Sequence, residues 1–142
     1  MNISDIVDAA EGLKALSKTT AAIIDALKLY ISSEEAIKPH LKVVASGPSW
    51  VETSFFGLHL IFRAEMQWKE EEVEKGQLNA YWRSYDKVPI EHQLRFEHAF
   101  IFDQEGISSG PGGKFKPAEV SKDFLEAVFT KLQTEQVLLR LE

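Results

Sequence analysis

Between Phe55 and Asp103, three segments of the chain alternate apolar and polar residues. In the first, Leu58, Leu60, Phe62, Ala64, Met66 and Trp68 share one parity. His59, Arg63, Glu65, Gln67 and Lys69 share the other, interrupted by Ile61. Successive strand side chains point to opposite faces, so the segment predicts a long strand with one dry face and one wet face. The second segment sets Leu78, Ala80 and Trp82 against Asn79, Tyr81, Arg83 and Tyr85. The third sets Leu94, Phe96, Phe100 and Phe102 against Arg95, Glu97 and Asp103. Three such strands predict an antiparallel sheet solvated on one side.

Helical spacing flanks the sheet. Ile3, Ile6, Val7, Ala10, Leu13 and Leu16 recur at three- and four-residue steps, and residues 3–31 read as helix, either continuous or punctuated between Ser17 and Thr20. Ser32 and Glu35 match a capping box for a short further helix, and Ile37, Leu41 and Val44 continue the spacing past Pro39. The region 3–45 is therefore taken as helical and 50–110 as sheet. The run Asp103-Gln104-Glu105-Gly106 has the residues of a tight turn. A last helix, 121–138, starts near Ser121 and buries Phe124, Leu125, Val128, Phe129 and Leu132. The expected fold is α+β, one domain over 1–142. It comprises N-terminal helices, an antiparallel meander of four or five strands, and a C-terminal helix on one sheet face.

A chain of 142 residues suits one domain, with enough aromatic residues to fill a core. The net charge of −6 argues against nucleic acid, which calls for clustered Lys and Arg, and is compatible with a basic partner. With no cysteine, disulfides and thiolate chemistry are excluded, and a cytoplasmic location is the simplest expectation. No secretory leader is visible at Met1-Asn2-Ile3, and no apolar run approaches the ~20 residues that span a bilayer. No membrane association is therefore expected.

The motifs that could carry chemistry fail on spacing. Gly110-Pro111-Gly112-Gly113-Lys114 lacks the first glycine and the final Ser or Thr of a phosphate loop, and Pro111 removes an amide donor. Glu70-Glu71-Glu72-Val73-Glu74 lacks the alternating oxygen ligands of a calcium loop and reads as a solvated hairpin tip. His40, His59, His92 and His98 form no zinc-ligand spacing. Hence no cofactor and no metal are expected, and an enzyme is the less favoured reading. The wet sheet face is the best candidate site. By parity it gathers His59, Ile61, Arg63, Glu65, Tyr81, Arg83, Tyr85, Arg95, Glu97 and Ile101. Arg and Tyr are enriched at binding hot spots because each combines large area with directional polar atoms. The favoured expectation is a non-enzymatic module docking another protein, in the manner of an inhibitor, immunity protein, antitoxin or chaperone. Docking would use this face or the acidic tip, and a homodimer through the same face is a close variant. The alternative is a small-molecule pocket or simple enzyme between sheet and helices. It would be lined by Trp68, Trp82, Phe96, His98 and Phe100, with His98 pointing inward as general base.

Overall fold

The structure is a computed structural model and describes residues 2–66, 75–84, 90–109 and 113–139. Helix α1 spans Ile3–Ser33 without a break. Its start is fixed by a capping box: the Asn2 side chain accepts from the Asp5 amide, and the Asp5 carboxylate accepts from the Asn2 amide. No Gly or Pro follows Gly12 in the helix, and the Thr19 and Thr20 side chains are buried rather than capping a second helix. Glu34 adopts an extended backbone and ends it.

The expected helix across 32–45 is not formed. Residues 35–40 are turns, and Leu41–Gly47 is strand β1. Six further strands follow: β2 (Trp50–Phe55), β3 (Leu58–Met66), β4 (Gly76–Arg83), β5 (Glu91–Leu94), β6 (Phe100–Phe102) and β7 (Ile107–Ser109). Among the described residues the sheet thus has seven strands rather than four or five, all pairing antiparallel in the order β1-β2-β3-β4-β6-β7. β5 and β6 lie one after the other along β4, against Ala80–Arg83 and Gly76–Leu78 respectively. The third alternating segment is therefore an interrupted strand, with residues 95–99 leaving the ladder between its halves. Gly76 sits opposite Phe102, and a Cβ there would collide with the Phe102 ring, so glycine is what lets that ring lie across the strand.

Helix α2 (Pro117–Thr134) begins on a proline, which fits a first helical position because its missing N–H has no intrahelical partner. It starts four residues before the expected Ser121. One core cluster draws Leu16, Ile23, Ile24, Leu27 and Ile31 from α1 and Phe124, Leu125 and Val128 from α2. These residues pack with Leu58, Leu60, Phe62, Leu78, Ala80, Leu94, Phe100 and Phe102 from the sheet. Phe62, Phe96 and Phe100 each meet Phe124 edge to face. Both helices cover one side of the sheet, as expected, and the other side carries the polar parity.

Among the described residues no helix is long and apolar enough to cross a membrane. The Glu70–Glu74 tip and most of the Gly110–Gly113 loop lie outside the described residues, as do Trp68 and Tyr85.

Candidate functional site

The outer sheet face is assembled by register. β2 brings Trp50, Glu52 and Ser54 opposite Arg63, Ile61 and His59 of β3. β4 sets Arg83, Tyr81, Asn79 and Gln77 opposite His59, Ile61, Arg63 and Glu65. β5 adds Glu91 opposite Arg83. Of the residues expected here, His59, Ile61, Arg63, Glu65, Tyr81 and Arg83 come together, and Ile101 joins them beside Gln77. Arg95 and Glu97 do not. Both lie exposed on the 95–99 excursion rather than in the ladder.

The acids that organise the face are Glu52 and Glu91. Glu91 accepts both arms of the Arg63 guanidinium at 2.7 and 2.8 Å, and Arg83 approaches the same carboxylate at 3.2 Å. Arg83 also donates to Glu52 at 3.2 Å, and the His59 Nδ1 lies 3.1 Å from that carboxylate. The fork of Arg63, followed by Arg83, holds the Glu91 carboxyl down to about 2. The Arg63 guanidinium is in turn pushed further up, mainly by that hydrogen bond. Arg63 also stands 4.7 Å over the Tyr81 ring, a cation–π arrangement. The Tyr81 hydroxyl donates to Glu65, which accepts from Asn79 as well. Partial burial, and then the adjacent Glu65 carboxylate, push Tyr81 up to about 12.

Beneath this network Ile61 is 2% exposed although it belongs to the wet parity. Its cross-strand neighbours are Glu52 and Tyr81. The face is therefore a polar network over an apolar centre. Glu52 and Glu91 were invisible to alternation because they lie in a short strand and at a strand start. Their one signal was the count of Arg side chains on a single face, which needs acids nearby.

Of the residues of the expected internal pocket, Phe96, His98 and Phe100 come together and Trp82 stands apart from them, while Trp68 lies outside the described residues. Trp82 is half-buried on the core side of β4 and stacks on His92, ring centroids 4.1 Å apart. Phe96 and Phe100 pack on each other and on α2. His98, expected in the core by parity, is exposed, because the excursion releases residues 95–99 from the alternating geometry. His98 does line an open groove of about 540 Å³ with Phe96, Glu97 and Phe100, facing Asp123, Glu126 and Lys131 of α2.

A second groove, of about 530 Å³, opens on the helix side at the β2–β3 hairpin end of the sheet. Its walls are mostly apolar: Ile37, Leu41, Phe55, Leu125 and Phe129, with Tyr30 from α1. Phe56 stands at this groove 45% exposed, with φ +47°, followed by Gly57 at φ +80°. This is the two-residue turn that favours Asn-Gly, and an aromatic side chain in its first position costs about 1–2 kcal/mol. Nothing in the alternation pointed to this groove. The dipeptide Phe55-Phe56 before a glycine was the available signal. Among the described residues, no three His, Asp or Glu side chains gather as a metal-binding set.

No family model matches the chain, and no curated protein or solved structure is significantly similar to it.

Proposed function

We propose that this chain is a non-enzymatic protein-binding module that docks a partner protein through its outer sheet face, as an inhibitor, immunity, antitoxin-like or chaperone-like protein does. The observation that carries this reading is the preorganised set of Arg63, Tyr81 and Arg83 held over buried Ile61 by Glu52, Glu65 and Glu91. Immobilising a long side chain at an interface costs about 0.5–1.5 kcal/mol, and here that ordering is already present in the free chain. Three carboxylates against two guanidiniums, on a chain of net charge −6, fit a partner with a basic surface.

Charge reversal separates this face from the rest of the molecule. In affinity capture from native lysate, wild type and Arg95→Glu are expected to retain one stoichiometric partner, and Arg83→Glu to lose it while keeping its circular dichroism, because the new carboxylate repels Glu52 and Glu91 and undoes the ordered face. Retention by Arg83→Glu overturns the assignment. A dimer by light scattering that Arg83→Glu converts to monomer identifies the partner as a second copy.

The groove beside His98 supports the second reading, a small-molecule pocket or simple enzyme, since it joins one imidazole to Phe96 and Phe100 and to Asp123 and Lys131. Ligand binding or turnover that disappears in His98→Ala, with the fold intact, favours it over the docking face.

A further inference from the structure

We propose that the groove at the β2–β3 hairpin end binds a single-chain amphiphile, an aliphatic carboxylate. Its chain would lie over Phe55 and Phe129 and its head at Lys122 and His40. The site is distinct from the outer face, on the opposite side of the sheet, and does not depend on that face docking a protein.

Three observations converge. The first is size and lining. A groove of about 530 Å³ lies within the range of small-ligand sites, and its apolar walls favour a hydrocarbon body. The second is Phe56. Its left-handed backbone favours Asn or Gly, and nearly half of its side chain remains in water, so burial does not offset the strain. Its ring meets Phe55 edge to face at 4.8 Å and lies 6.1 Å from the His40 ring. A hydrocarbon chain in the groove would cover this ring and account for an aromatic residue at a strained position. The third is charge. The polar side chains on the wall are Tyr30, His40, Lys122 and Glu126. The first three donate to an anion. Glu126 is the acid among them, 3.9 Å from Lys122, and both members of that pair are about two-thirds exposed. An exposed pair at that distance is weak, so an incoming carboxylate can replace Glu126 beside Lys122. An alkylammonium would find Glu126 there but with Lys122 beside it, whereas a carboxylate has the Tyr30 and His40 donors as well as Lys122.

The test compares dodecanoate, dodecanol and dodecylammonium by calorimetry on the full chain, each below its micelle-forming concentration. Dodecanoate is expected to bind one to one and at least about ten-fold more tightly than dodecylammonium. Phe56→Asn is expected to raise the melting temperature by about 3 °C, because it relieves the turn, while weakening dodecanoate about ten-fold. Lys122→Glu is expected to remove the preference for carboxylate over ammonium and leave dodecanol unchanged. Equal affinity for the two charged ligands, undiminished binding by a folded Phe56→Asn chain, or no saturable binding overturns the proposal.

Discussion

Glu91 sits at the start of a four-residue strand, yet two guanidiniums converge on it. Its carboxyl lies at about 2 in the folded chain against an ordinary 4.5. The folded state therefore gains from its ionisation at any pH above about 4.5, and loses that gain as the pH falls through about 2. The side chain is 34% exposed, and solvent screening reduces the contribution to about 1 kcal/mol. Glu91→Gln is expected to lower the unfolding free energy at pH 7, measured by urea denaturation, by that amount and to flatten the acid limb of stability between about pH 4.5 and 2. Tyr81 acts at the other extreme. Its hydroxyl is raised from 10 to about 12, so the folded state is favoured below pH 10 and loses that advantage as the pH rises towards 12. A tyrosinate absorbance titration should show a phase near pH 12, and Tyr81→Phe should reduce it by the amplitude of one tyrosine. At this scale the sequence disclosed the basic and aromatic members of the face. It did not disclose Glu52 or Glu91, because which acids meet a given arginine is decided by register across strands far apart in the chain.

Two irregularities account for where the elements were and were not legible. β1 carries a one-residue bulge: Val43 opposes Thr53 but Ala45 opposes Glu52, leaving Val44 extra. One inserted residue reverses the side-chain parity. Leu41, Val43 and Val44 thus lost the alternation of a strand, and Ile37, Leu41 and Val44 instead matched a helical spacing. The excursion between β5 and β6 does the reverse. Leu94 opposes Ala80 while Phe100 opposes Leu78, where an unbroken ladder would place Phe96. The four extra residues are an even number, so Leu94, Phe100 and Phe102 keep their face and the break leaves no trace in the pattern. The same geometry predicts opposite outcomes for two neighbouring deletions. Removing residues 95–98 closes the ladder and should leave a cooperatively folding protein, destabilised by the loss of Phe96. Removing 95–97 turns Phe100 outward and should abolish cooperative thermal unfolding by circular dichroism.

The α+β class and the one-sided helix cover followed from periodicity alone, because a sheet with one dry face must bury it against something. That shared cover makes α1, the sheet and α2 contributors to one core. Far-ultraviolet dichroism and tryptophan fluorescence are therefore expected to report a single coincident unfolding transition. Phe124 is fully buried and meets three aromatic rings, so Phe124→Ala should cost about 3–5 kcal/mol, measured by urea denaturation. The bulge in β1 matters at this scale too. β7 is bridged on its far side by Phe115 from the segment before α2, whereas β1 ends the sheet with β2 as its neighbour in the strand order. An unpaired edge strand is a template on which another chain can polymerise. The extra Val44 kinks that edge and breaks the row of amides and carbonyls a newcomer would need. What hid the strand from its sequence is thus also a guard against fibre growth, and a chain lacking Val44 would offer a straighter edge to its own copies.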